Sequence, residues 1–178
     1  IIFYAKELAR TDPALADKYY QAAIALGKDI AGDIYWEYGQ FLETQGKTEE
    51  SLRNYLIAAT HGHTKAPNDY AITLLQPADK HKPTPEEVSK AISVLQKASN
   101  QNEPTACYNL AKIYYYGKYG QAPDKTKAMN LARKSAKLKH PKGCFLYAFI
   151  LMHTNKNPET IQEAKKFYPD LEVLYRWN

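Results

Sequence analysis

Residues 35–42 read Tyr35-Trp36-Glu37-Tyr38-Gly39-Gln40-Phe41-Leu42. A small residue follows an aromatic one, and an apolar residue stands three places later. The same signature recurs as Tyr4-Ala5…Leu8, Tyr70-Ala71…Leu74, Leu110-Ala111…Tyr114 and Tyr147-Ala148…Leu151. Its small residues lie 34, 32, 40 and 37 positions apart. A second ladder interleaves with the first: Ala22-Ala23, Ala58-Ala59, Ala98-Ser99 and Ser135-Ala136. Two ladders sharing one period predict a repeat architecture, because a fixed period of this length marks a recurring supersecondary unit.

The period within each unit is that of a helix. Tyr35, Cys107 and Cys144 each precede the small residue by four positions, so these residues form one stripe on a helix rather than alternating as in a strand. Each unit therefore reads as two antiparallel helices, A and B. A small residue on each lets the backbones approach, and larger neighbours fill the grooves beside it. The punctuation agrees. Asp12-Pro13, Thr84-Pro85-Glu86-Glu87 and Asn157-Pro158-Glu159 have the cap, early proline and early acids of helix starts. Gly27, Gly46 and Gly62 stand where helices should stop. The A helices are predicted near 1–10, 30–45, 65–76, 104–116 and 142–153. The B helices are predicted near 13–27, 48–61, 85–99 and 124–139. A last helical stretch covers about 158–177, broken at Pro169. The loop Pro77–Pro85 carries three prolines and interrupts the third unit.

Two of these units resemble known families. Tyr35-x-x-Tyr38-Gly39-x-x-Leu42, followed by Ser51, Tyr55 and Ala58, resembles the tetratricopeptide pattern, with aromatics in place of its Trp and Leu. The run Ala106-x-x-x-Leu110-Ala111-x-x-Tyr114-x-x-Gly117-x-x-Gly120-x-x-x-Asp124-x-x-Lys127-Ala128 is similar to the longer SEL-one-like repeat. The resemblance implies an all-α fold, an αα-hairpin repeat solenoid wound as a right-handed superhelix. It would form one domain of about five repeats, near 1–27, 28–62, 63–102, 103–140 and 141–178. It also implies a non-enzymatic adaptor or assembly role, and a bacterial envelope or secreted setting over the cytoplasm. The first residues lie inside a helix pattern already under way, which reads as a fragment of a longer protein.

Composition narrows the classes. The chain has 178 residues, 44% apolar and 24% charged, as in an ordinary globular protein rather than a disordered tail or a disulfide-stapled miniprotein. No apolar run approaches the ~20 residues that span a bilayer. Tyrosine is abundant, with 15 copies beside 5 Phe and 2 Trp, and it suits half-buried surfaces and interfaces. Charge is uneven. Residues 1–102 carry 11 Lys and Arg against 13 Asp and Glu, whereas residues 103–178 carry 13 against 6.

In solenoids of this kind the A helices line the concave wall. The residues three before, one after and four after each small residue lie away from the packing stripe and are expected to face it. They are Trp36, Gln40 and Glu43 in the second repeat and Asn68, Ile72 and Leu75 in the third. The fourth repeat supplies Tyr108, Lys112 and Tyr115, and the fifth Phe145, Phe149 and Met152. Such a wall suits a protein or peptide partner with apolar anchors. The competing expectation is that Leu171, Val173, Leu174, Tyr175 and Trp177 fold back and fill the groove beside Phe145 and Phe149. Trp36, Tyr108 and Tyr115 are then the better candidates for ligand contact.

Lys125, Lys127, Arg133, Lys134, Lys137, Lys139 and Lys142 form a basic patch, mostly on one B helix and expected to face outward. An anionic glycan or lipid surface is the rival partner for it. A nucleic-acid role is not favoured, because no recognition module accompanies the patch. Cys107 and Cys144 occupy equivalent places on neighbouring A helices. Axes ~8–10 Å apart leave them too distant for a disulfide, so free buried thiols are expected. His61-Gly62-His63 lacks a third metal ligand nearby, and Glu49-Glu50 and Glu86-Glu87 sit in first helical turns where acids complement the dipole. No nucleophile elbow, phosphate loop or zincin motif is present. The sequence thus assigns no catalytic residue, metal or cofactor.

Overall fold

The computed structural model describes residues 1–27, 32–77, 82–154 and 157–170. Among them are ten α-helices, a short 3-10 turn and no strand. In chain order the helices are α1 (Ile2–Leu8), α2 (Pro13–Ala25), α3 (Asp33–Thr44), α4 (Thr48–Thr60) and α5 (Ala66–Leu75). These are followed by α6 (Pro85–Asn100), α7 (Pro104–Tyr116), α8 (Lys125–Lys137), α9 (Pro141–Thr154) and α10 (Pro158–Phe167). Odd-numbered helices are the A helices and even-numbered ones the B helices. The predicted starts are real. Asp12 accepts from the Leu15 N–H at 3.0 Å, and Thr84 with Glu87 and Asn157 with Thr160 form reciprocal capping boxes. α10 stops two residues ahead of Pro169.

The chain divides into two compact units, Ile1–Lys82 and Pro83–Asn178. In the first, α1 packs on α2, α2 on α3, α3 on α4 and α4 on α5. Its core joins Ala5, Ala16, Tyr20, Tyr38, Phe41 and Leu42. In the second, each helix from α6 to α10 packs on the next, and α7 also meets α9.

All five small residues of the A-helix ladder, Ala5, Gly39, Ala71, Ala111 and Ala148, are buried. They mark where paired helices touch. At Gly39 the approach is close: a Cβ there would lie 2.8 Å from the Tyr55 ring. The B-helix ladder needs a correction of one residue. Ala22 is exposed, and the buried series is Ala23, Ala58, Ala98 and Ser135, spaced 35, 40 and 37 apart.

This series also builds the turns between repeats. The carbonyls of Ala58, Ala98 and Ser135 accept from the N–H groups of His63, Glu103 and His140 at 3.0, 3.0 and 3.2 Å. The intervening Gly62, Asn102 and Lys139 adopt left-handed φ values of 90°, 63° and 61°. α4, α6 and α8 thus close in Schellman-type turns that deliver a side chain to the start of the next A helix.

Candidate functional site

That delivered side chain is a helix cap. His63 Nδ1 accepts from the Ala66 N–H at 3.2 Å, and His140 Nδ1 accepts from the Gly143 N–H at 3.1 Å. The Glu103 carboxylate takes the N–H groups of Thr105 and Ala106. His63 stacks on Trp36 with ring centroids 4.5 Å apart, and His140 lies 5.3 Å from Tyr108. Trp36 and Tyr108 hold equivalent repeat positions, so each braces the cap of the following A helix. The sequence carried this signal in the 40- and 37-residue spacing of 63, 103 and 140, although the residue types differ.

In the first unit the predicted wall is engaged with itself. Trp36 Nε1 donates to Asp69 Oδ2 at 2.6 Å, and Lys65 Nζ sits 5.2 Å above the indole. Burial lifts the Asp69 carboxyl above the usual carboxylate range, against the lowering effect of the Trp36 bond. Glu43 accepts from the Tyr55 hydroxyl at 2.8 Å and from Thr73 Oγ1 at 3.1 Å, which joins α3, α4 and α5. Gln40 and Ile72 are exposed, but Asn68 and Leu75 are buried, contrary to expectation. The reason is local: eight of the ten residues of α5 are buried. A helix covered on nearly every side, with polar Asn68 and Thr73 buried as well, has no broad outward face. Met152 is buried on α9, a helix apolar nearly all round that offers no stripe from which to infer its outward face. A cleft of about 370 Å3 runs beside Gln40, between Lys6 of α1 and Arg10 just after it and Glu37 and Thr44 of α3. Lys6 pairs with Glu37 across it.

In the second unit the structure brings the predicted residues together. Tyr108, Lys112 and Tyr115 share one face of α7, and none is buried. Tyr115 meets Phe149 of α9 edge to face at 5.8 Å, and Phe149 stacks on Phe145 at 6.2 Å. Lys112 Nζ lies 5.2 Å over Tyr108. The sequence reading missed Tyr116, which is 52% exposed and packs on Tyr115 at 4.9 Å, and Lys118, which sits 5.7 Å over the Tyr116 ring. Phe145 is 39% exposed, and Tyr168 touches its far edge at 5.3 Å. Leu171, Val173, Leu174, Tyr175 and Trp177 lie outside the described residues.

The basic patch is thinner than expected. Arg133 Nε donates to the Tyr147 hydroxyl at 2.8 Å, which in turn donates to Glu163. Lys134 Nζ binds the Ser99 carbonyl, and Lys127 Nζ sits 3.9 Å over the Tyr114 ring. These three cations hold the fold together, because ring faces and a carbonyl lie within their reach. Lys125, Lys127, Lys137, Lys139 and Lys142 remain exposed. Both cysteines are free thiols, but only Cys107 is buried; Cys144 is half-buried. Their sulfurs point at the α6 and α8 carbonyls of Ser99 and Ala136, 3.9 and 3.7 Å away. His61 and His63 diverge, His61 lying edge-on to Tyr35 and His63 flat on Trp36. No described helix is long and apolar enough to cross a membrane.

No protein-family model matches the sequence, and no curated protein is significantly similar to it. Among solved structures, the chain is similar to the crystal structure of a Sel1 repeat protein from Oxalobacter formigenes. The two share 22% identity over 85% of this chain with a TM-score of 0.65, and the matched region spans 61% of that protein. The paired helices, the buried ladders and this likeness together give the chain the αα-hairpin repeat fold of the Sel1 type.

Proposed function

We propose that this chain is a non-enzymatic scaffold that holds a partner polypeptide on the A-helix wall of its second unit. The observation that carries the reading is the half-exposed aromatic strip of Tyr115, Phe149 and Phe145 across neighbouring helices α7 and α9, with Tyr108 on the same face of α7. Aromatic side chains bury much area on binding and lose little rotamer freedom, so they dominate interface energies. Here they stand on helices rather than loops, already held by ring contacts, which lowers the ordering cost of association. Lys112 adds a donor for a partner carboxylate or carbonyl. Trp36 belongs to the fold rather than to this wall, because its indole N–H and ring face are already engaged.

The test is affinity capture with the wild type and a Tyr115→Ala/Phe149→Ala variant in parallel, scored by mass spectrometry. Melting curves for both variants keep misfolding separate from lost contact. The reading expects partners that survive moderate salt and disappear with the double variant. Partners retained by the variant but released by Lys125→Glu/Lys137→Glu would instead establish an anionic-surface role for the exposed cations of α8. Loss in neither variant would overturn both readings.

A further inference from the structure

The charge of the wall specifies its occupant further than its aromatic character does. Between Pro104 and Pro158 the only acid in the sequence is Asp124. That carboxylate caps α8, accepting from the Lys127 N–H at 2.8 Å. The two A helices of the wall therefore carry no acid of their own. Two carboxylates on the flanking segments are engaged within the fold. Glu103 caps α7, and Glu163 of α10 holds the Tyr147 hydroxyl. The cations of the wall stay at its surface. Lys142, Phe145 and Phe149 recur at i, i+3 and i+7 on one face of α9. Lys118 borders the strip beside Tyr116, and Lys112 sits within it above Tyr108. A lysine resting on a ring face retains N–H donors for an anion.

Resting on the reading above, we infer that the segment seated on this wall is acidic: Asp or Glu residues flanking aromatic or aliphatic anchors. The anchors bury against Tyr115, Phe149 and Phe145. The flanking carboxylates meet Lys112, Lys118 and Lys142. Rim charges of this kind chiefly set partner choice and association rate, so affinity should fall with added salt without vanishing. A basic segment would meet like charge at Lys112, Lys118 and Lys142.

Selection of short random peptides displayed on phage against the full chain tests this, with the Tyr115→Ala/Phe149→Ala variant as counter-selection. The expected outcome is enrichment of acidic peptides carrying aromatic or aliphatic residues. Their binding should weaken about tenfold in a Lys118→Glu/Lys142→Glu variant, whose two sites are exposed and whose circular dichroism should not change. Wall-dependent peptides that are neutral or basic would overturn the acidic assignment and leave the scaffold reading standing. Peptides indifferent to Tyr115 and Phe149, or no enrichment at all, would overturn the scaffold reading and the acidic assignment with it.

Discussion

The second and fourth repeats place different chemistry on the same backbone plan. Trp36, Gln40 and Glu43 on α3 correspond to Tyr108, Lys112 and Tyr115 on α7. Around α3 the neighbouring helices supply carboxylate and hydroxyl partners. Asp69 captures the Trp36 indole, while Glu43 captures Tyr55 and Thr73. Around α7 the neighbouring α9 supplies rings, and the cation over Tyr108 is Lys112 of α7 itself, so the aromatic side chains rest on ring faces and stay half exposed. A repeat position therefore has no fixed role. Whether its aromatic residue braces the fold or stays available is decided by the hydrogen-bonding groups on the adjoining helix.

The core shows the same trade between equivalent positions. Gly39 faces Tyr55 in the first unit, where the second has Ala111 and Ala132. Removing the buried ring in Tyr55→Ala should cost the most, about 3–5 kcal/mol in urea unfolding. Gly39→Ala should cost about 1–3 kcal/mol alone and much less in the Tyr55→Ala background. Equal costs in both backgrounds would break the pairing of these two residues.

Gly143 tests the same logic in the second unit. It follows the cap His140 as Ala66 follows His63, but it faces Ser135 where the first unit has Ala58. A Cβ at 143 would lie 2.2 Å from Ser135 Oγ, which is held by the Pro104 carbonyl at 2.7 Å. Gly143→Ala should destabilise by about 1–3 kcal/mol, and Ser135→Ala should relieve part of that in a thermal melt.

The two walls separate by a crossed experiment. Trp36→Ala should lower stability by about 1–3 kcal/mol and leave binding to the second unit intact. Tyr115→Ala should do the reverse, with a small change in melting temperature and lost capture of partner. Matching profiles for the two variants would remove the distinction drawn between the units.

Smaller effects distinguish the turns. Burial holds the His140 pKa below its ordinary value of 6.5, with Glu103 opposing and Lys142 assisting. The unfolded chain then binds the proton more readily than the folded one. The contribution of His140 to stability is therefore complete above pH 6.5 and declines as pH falls below it. Protonation also removes the Nδ1 lone pair that caps α9. His140→Gln should flatten this part of the stability profile in denaturant melts at stepped pH. Smallest of all, Lys139→Gly places glycine at φ 61°, as Gly62 stands in the first unit. It should stabilise by at most about 1 kcal/mol, offset in part by the added freedom of the unfolded chain.

Much of the fold was legible because small residues at helix crossings recur with the repeat. Ala5, Gly39, Ala71, Ala111 and Ala148 are buried as their spacing requires, and the caps at Asp12, Thr84 and Asn157 are local chemistry. The unburied face of α7 was legible, because its large and small residues form a clear stripe. The outward face of α5 was misread at Asn68 and Leu75, because α5 is covered by its neighbours on nearly every side. Arg133 and Lys134 were read as outward charge; the Tyr147 hydroxyl and the Ser99 carbonyl that engage them lie 14 and 35 positions away in the chain.

The sequence by itself determined that the chain is all-helical, where most helices begin and end, and which small residues mark the crossings. Those features arise from neighbours within a few residues and from a period that repeats. Tertiary structure decided which aromatic residues are occupied and which remain open. The deciding partners are Asp69 for Trp36, and Phe149 for Tyr115, 33 and 34 residues distant. Hydrogen bonds and ring contacts act only over a few ångströms, so packing alone could bring those pairs within range.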